Sequence, residues 1–314
     1  MASLQLPLPS NEAEDRLYIA YHDARTVLQG RHLVPIQVGR AVSNVRLEEV
    51  QGDDTGDNIS AMNAEYCELT AHYWAWRNGP SDGTVGLMHY RRLFDLADRM
   101  NPRGHPERYV IDFDPGAYAG DVADYFASAD TEPGMIVPRP VYLRSKVARQ
   151  YSDLHRGRDL EILREIVAER HPNFLPDLDR TLAGRRLLVG NMFIMTRAVF
   201  EDYSQLLFDI LSTARTRILA ADPGSATGYQ GRYLGFLAER VLTAYALGDL
   251  VRANFPGLCP VHKGVVNTDA GALSRIGSLG LIRLCAQGRL PPGQALSLWA
   301  KRRMAPLRSS SSLE

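Results

Sequence analysis

A chain of 314 residues with 45% hydrophobic and 23% charged residues has room for two domains or one large α/β domain, and its composition excludes wholesale disorder. Thirty-six Lys and Arg balance thirty-six Asp and Glu, so no net charge draws the chain to nucleic acid. Cys67, Cys259 and Cys285 are odd in number and far apart, which argues against a disulfide framework or a zinc site and for a reducing compartment. The Pro-broken N-terminus lacks the basic start of a signal peptide, and no apolar run reaches the roughly 18 residues of a membrane span. A cytoplasmic location is expected.

In chain order, Leu17–Tyr21 and Leu33–Val38 are short apolar runs that read as the first two strands of a parallel sheet. Asp53–Ser60 has turn composition throughout. Ala64–Asn78 carries Tyr66, Leu69, Tyr73, Trp74 and Trp76 at helical spacing and stops at Gly79-Pro80. Thr84–Tyr90 predicts a buried strand that breaks at Arg91-Arg92, and Asp98–Gly120 reads as a loop or insertion. Further on come a strand at Gly134–Pro138, helices at Lys146–Leu154 and Asp159–Glu169, and a strand at Leu187–Met195. A long helix at Ala198–Ala221 and an amphipathic one at Arg232–Leu247 follow. Alternating strands and helices predict an α/β fold with a mainly parallel sheet, whose ligands sit at the carboxyl ends of the strands.

Those ends carry Tyr21-His22-Asp23, Val38-Gly39-Arg40 and His89-Tyr90-Arg91-Arg92, to which the Asp53–Asn58 turn is added. Aromatic rings suit a base, a turn carboxylate suits ribose hydroxyls, and paired guanidinium groups suit diphosphate oxygens. Neither a P-loop nor a G-x-G-x-x-G fingerprint is present, so side chains or a metal would have to hold the phosphates. A nucleotide ligand is one reading; arginines salt-bridged on the surface are the other.

Asp57–Ser60, Asn63, Cys67–Thr70, Tyr73–Asn78 and Gly86–Phe94 form a tandem of motifs, joined by Gln150-Tyr151 with His155, Asn191–Met195 and Gly235–Arg240. Together they resemble the glycosyltransferase domain of bacterial capsule, exopolysaccharide and O-antigen clusters, some of whose members are galactofuranosyltransferases. The resemblance runs from about Leu17 to Leu247. It implies a GT-A-like nucleotide-diphospho-sugar transferase fold over residues 1–250, a UDP-sugar donor, and a surface-polysaccharide or lipid-linked glycan acceptor. The expected reaction is hexosyl transfer with inversion, galactofuranose being one of the candidate sugars. A non-catalytic nucleotide- or sugar-binding protein that keeps the fold is the alternative.

Where such enzymes place an Asp-x-Asp for a divalent metal, this chain has His89–Arg92. No tightly bound cofactor is therefore expected, and Arg91 and Arg92 become the candidate stabilisers of the leaving diphosphate. Asp112-Phe113-Asp114, or His89 alone, is the alternative site for Mn or Mg; a surface turn explains the first equally well. Tyr21, His22, Val38, Gly39, Asp57, Asn58, His89, Tyr90, Arg91 and Arg92 are the expected donor-binding residues. Glu239, on an otherwise apolar helix, is either the general base or an ion-pair partner of Arg240. Tyr151, His155, Asn191 and Met192 are the acceptor-side candidates, with ordinary packing as the competing explanation.

Residues 251–314 read as a basic extension with a disordered end. From Gly271 onward, seven cations (Arg275, Arg283, Arg289, Lys301, Arg302, Arg303 and Arg308) face one anion, Glu314, a net charge of +6. Leucines and Trp299 are interleaved. The segment is either a solvated tail or a contact with anionic lipid at the inner face of the plasma membrane.

Overall fold

The computed structural model of the chain describes residues 14–23, 26–128, 134–269 and 278–296. The first strand, β1 (Arg16–Tyr21), is apolar because both of its faces are covered. Leu17, Ile19 and Tyr21 enter one core, and Tyr18 and Ala20 enter the other, as the two-residue side-chain period dictates. Parallel to it run β2 (Leu33–Gln37) on one side and β4 (Thr84–His89) on the other, and the two-residue β3 (Gln51–Gly52) follows β2. The chain leaves β3 through α1 (Asn63–Tyr66) and α2 (Leu69–Asn78) before it returns as β4.

Beyond β4, β5 (Arg92–Phe94) and β6 (Glu107–Tyr109) lead into α3 (Pro115–Ala127) and then β7 (Met135–Pro138). The Asp98–Gly120 stretch is therefore not loop throughout. Asp114 caps α3 by accepting from the amides of Gly116 and Ala117, with Pro115 in the first turn, a strong helix start. The short β8 (Val141–Tyr142) precedes α4 (Val147–Leu154), α5 (Gly157–Arg170) and α6 (Leu175–Ala183). The strand expected over Leu187–Met195 is two strands, β9 (Arg186–Leu187) and β10 (Phe193–Thr196). A turn with Gly190 and Asn191 at φ 90° and 49° separates them.

Helices α7 (Arg197–Ala221), α8 (Tyr233–Leu247) and α9 (Leu250–Asn254) follow, then β11 (Val261–Lys263), β12 (Val265–Asn267) and α10 (Ser278–Ala286). The main sheet has the order β11-β7-β10-β4-β1-β2-β3. It is mostly parallel, but β10 runs antiparallel to both its neighbours, β4 and β7. Helices α2 and α4 to α8 cover one face, and α3 covers the other. Strands β11 and β12 pair with β7, β5 and β6, so the sheet itself runs past residue 250.

In the C-terminal part, Leu281, Leu284 and Leu290 form a small core against Tyr109 and Ile111. Arg289 pairs with Glu107, while Arg283 is exposed. Arg275, Trp299, Lys301, Arg302, Arg303 and Arg308 lie outside the described residues. Among the described residues, no helix is long and apolar enough to cross a membrane.

Candidate active site

After β1 the chain moves to β2 and β3 on one side, then crosses to β4 on the other. The carboxyl ends of β1 and β4 are thus a topological switch point, where open α/β sheets hold their ligands. A cleft of about 350 Å³ lies there. Ala20 and His22 reach it from β1, Val38 from β2, and His89, Tyr90 and Arg91 from β4. Asn63, Ala64, Cys67 and Glu68 form the wall at the α1–α2 corner, and Arg232, the residue preceding α8, closes the opposite side.

Helical spacing runs unbroken through Ala64–Asn78, yet the chain kinks at Cys67, with φ 54° and ψ −130°. A non-glycine residue there stores about 1–3 kcal/mol of strain and needs support. Its carbonyl accepts from Asn63 Nδ2 at 2.7 Å and Thr70 Oγ1 at 3.1 Å. The kink directs Glu68 to the cleft, where its Oε1 accepts from Asn191 Nδ2 at 2.7 Å. Cys67 Sγ receives Arg232 Nε at 3.2 Å, and burial pushes the thiol up to about 11. Gly39, at φ 63°, packs directly on Asn63: a Cβ there would stand 2.6 Å from its Cγ.

His89 Nε2 lies within hydrogen-bond distance of the Gly190 carbonyl. A carbonyl only accepts, so Nε2 carries the proton and Nδ1 holds the lone pair in the neutral ring. Burial lowers the His89 pKa, opposed by Glu68 and the Gly190 bond and reinforced by Arg92 and Arg91. The same turn is held from below. Glu239 Oε1 accepts from Gly190 N at 2.8 Å, and its Oε2 accepts from Arg240 Nη1 at 2.9 Å. Arg240 in turn donates to Phe236 O and Gln150 Oε1 and lies over the Tyr151 ring. Burial pushes the Glu239 carboxyl up, opposed mainly by Arg240 and the Gly190 amide.

Of the expected donor residues, His22, Val38, His89, Tyr90 and Arg91 share the cleft. Arg91 is oriented by Asp269, with Nη1 at 3.0 Å from Oδ2. Tyr90 stands edge-on to His22, with ring centroids 5.2 Å apart. Gly39 is not in the lining, and its amide is pinned with that of Arg40 by the buried Asp53 carboxylate. Four more of the expected residues lie outside the lining. Tyr21 faces the second core by strand alternation, and its hydroxyl accepts from Leu28 N. Arg92, one residue on from Arg91, turns to Glu107 at 3.3 Å. Asp57 is held by Arg77 Nε at 2.7 Å and by the Tyr73 hydroxyl, outside the cleft lining. Asn58 closes its own turn, donating to Gly56 O and accepting from Ser60 N.

The acceptor-side set also disperses. Tyr151 and Met192 are fully buried, and His155 stacks on Phe236 with centroids 4.0 Å apart. Asn191 alone reaches the cleft's machinery, by holding Glu68. Glu239 sits beneath the cleft as the ion-pair partner of Arg240. Trp76 packs flat on Phe208, and Trp74 and Trp76 both lie against the main core. Glu68 and Arg232 line the cleft although sequence reading did not single them out.

Asp112-Phe113-Asp114 lies apart from the switch-point cleft. Asp114 is consumed as the α3 cap, and Asp112 and Asp114 line a separate pocket with Arg99 and Arg108. Among the described residues, no three His, Cys, Asp or Glu side chains converge in a way that could hold a metal ion.

Known proteins bear on this geometry in three ways. No curated protein matches the chain. Among solved structures, the apo form of the WbbM bifunctional glycosyltransferase superposes with a TM-score of 0.69 at 25% identity, covering 81% of this chain and 45% of that one. This chain thus spans less than half the length of WbbM, and the shared architecture makes the fold GT-A-like. The model of a family described as a domain of unknown function, DUF4422, matches residues 16–249, well over half of the sequence, and the chain belongs to that family.

Proposed function

We propose that this chain is a glycosyltransferase that moves a hexose from a UDP-sugar bound in the switch-point cleft to a hydroxyl of a glycan acceptor. One observation carries the reading: a single cleft brings a carboxylate, Glu68, together with guanidinium groups from two walls, Arg91 and Arg232. In the reaction the acceptor oxygen attacks C1 of the donor sugar as the bond from C1 to the diphosphate oxygen breaks. The bonding electrons leave with UDP, whose growing negative charge Arg91 and Arg232 offset. The acceptor's proton passes to Glu68, which replaces Glu239 as the base because it lines the cleft and Glu239 does not. Attack in line with the leaving group gives inversion.

A surface-polysaccharide or lipid-linked acceptor, with galactofuranose among the donor sugars, is the form of this reading that the sequence resemblance favours. The outer face of α10 supports a membrane-surface contact, since Ile282 is 63% exposed beside the exposed Arg283. Titration calorimetry with UDP tests the donor half. Arg91→Ala and Arg232→Ala should each weaken UDP by roughly ten-fold or more, on the ~1.5–3 kcal/mol of a charged hydrogen bond. UDP affinity that is the same in wild type and both variants would contradict the placement.

A further inference from the structure

Tyr90 and Arg91 are a wall with space on both sides. Behind them lies a second cavity of about 240 Å³, bounded by Leu28, Ile111, Phe113, Pro115, Thr26 and Thr268. We infer that this cavity receives one sugar ring of the acceptor, an inference that rests on the transferase reading above.

The first argument is position. Transfer requires the attacking oxygen within about 3–3.5 Å of the donor carbon, so the acceptor must occupy space that adjoins the donor cleft. The second cavity adjoins it through two shared residues. That wall is fixed: Arg91 is bound to Asp269, its guanidinium lies 5.7 Å from the Tyr90 ring centroid, and Thr268 N donates to the Arg91 carbonyl at 2.9 Å.

The second argument is chemistry. A sugar ring has a face of C–H bonds and an edge of hydroxyl groups. Aromatic faces carry negative charge that attracts C–H dipoles, and hydroxyl groups need polar partners when desolvated. The cavity supplies two aromatic rings, Tyr90 and Phe113, with apolar Leu28, Ile111 and Pro115 around them. Thr26, Thr268 and Arg91 add hydroxyl and guanidinium groups. Its volume falls below the roughly 300–1,000 Å³ of drug-sized ligand pockets, which suits a monosaccharide unit better than a nucleotide.

The third argument accounts for Asp112-Phe113-Asp114 without a metal. Asp114 caps α3, and Phe113 packs on the buried Tyr118 with centroids 5.7 Å apart, so the helix start holds the ring at the cavity.

Saturation-transfer NMR with methyl galactopyranoside, methyl glucopyranoside and methyl mannopyranoside tests the subsite, and UDP calorimetry on the same samples tests the donor reading separately. At least one glycoside should receive saturation at its ring C–H protons from the wild type. Phe113→Ala should abolish that signal, and Thr268→Val, which keeps the side-chain shape, should weaken binding by about two- to ten-fold. UDP affinity should not change in either. No glycoside signal from the wild type, a signal that survives both substitutions, or loss of UDP binding in a folded Phe113→Ala protein would overturn the inference. Failure of the wild type to bind UDP would instead overturn the donor reading, while the glycoside signals would still decide the subsite.

Discussion

Replacing Glu239 with Gln separates a supporting role from a chemical one. The Glu239–Arg240 pair is buried, with the Arg240 side chain 1% exposed and that of Glu239 19% exposed. Losing one charge of such a pair leaves the other stranded, at a cost of about 3–5 kcal/mol. Arg240 would keep its bonds to Phe236 O and Gln150 Oε1, which places the loss at the lower end, about 3 kcal/mol. At roughly 2–4 °C per kcal/mol, the melting temperature should fall by roughly 6–12 °C. Because Glu239 also anchors Gly190 N, and that turn orients His89 and Glu68, turnover should fall with stability. Differential scanning calorimetry and sugar transfer on one preparation read both quantities. A Glu239→Gln protein that melts with the wild type but has lost transfer by ~10²–10⁴-fold would refute the supporting role and restore Glu239 as the base.

Two further outcomes follow from the same geometry. Asp57→Ala should leave UDP affinity unchanged in calorimetry, since its carboxylate is engaged with Arg77 and Tyr73; a ten-fold loss would return Asp57 to the donor site. His72 is buried among Phe193, Phe200, Tyr203 and Phe208, and burial lowers its pKa from 6.5 to about 3. Below 6.5 the unfolded chain takes up a proton that the folded chain refuses, so this contribution to stability is complete above 6.5 and is lost progressively towards about 3. The slope is about 1.4 kcal/mol per pH unit, or about 2 kcal/mol by pH 5. Melting curves of His72→Phe should fall less steeply with acid than those of the wild type; parallel curves would contradict the assignment.

Strands β1, β2 and β4 were legible because burial on both faces makes them continuous apolar runs, and their ends are where the cleft lies. Residue type and position alone thus led to His22, Val38, His89, Tyr90 and Arg91 as residues that share this cleft. Arg91 and Arg92 look alike in sequence, but consecutive residues face opposite ways, and only Asp269 and Glu107, far away in the chain, reveal which one turns to the cleft. Asp53 and Asp57 have the same turn composition around them. Their roles are set by Gly39 and Arg40 in one case and by Arg77, 20 residues on, in the other. Glu68 escaped notice because periodicity cannot report a single left-handed residue, and it is the Cys67 kink that brings Glu68 to the cleft. The 190–191 turn is hidden in the same way within an apolar run.

The central claim is that Glu68 takes the acceptor's proton in a cleft that binds a UDP-sugar. Glu68→Gln keeps the side-chain length and the acceptor oxygen for Asn191 Nδ2. Transfer measured over a panel of UDP-hexoses, with UDP affinity determined on the same protein, tests the claim most directly. Wild-type turnover with at least one donor, reduced ~10²–10⁴-fold in Glu68→Gln with UDP affinity intact, is the predicted result. Transfer at the wild-type rate by Glu68→Gln, or UDP binding without turnover of any donor, would contradict it.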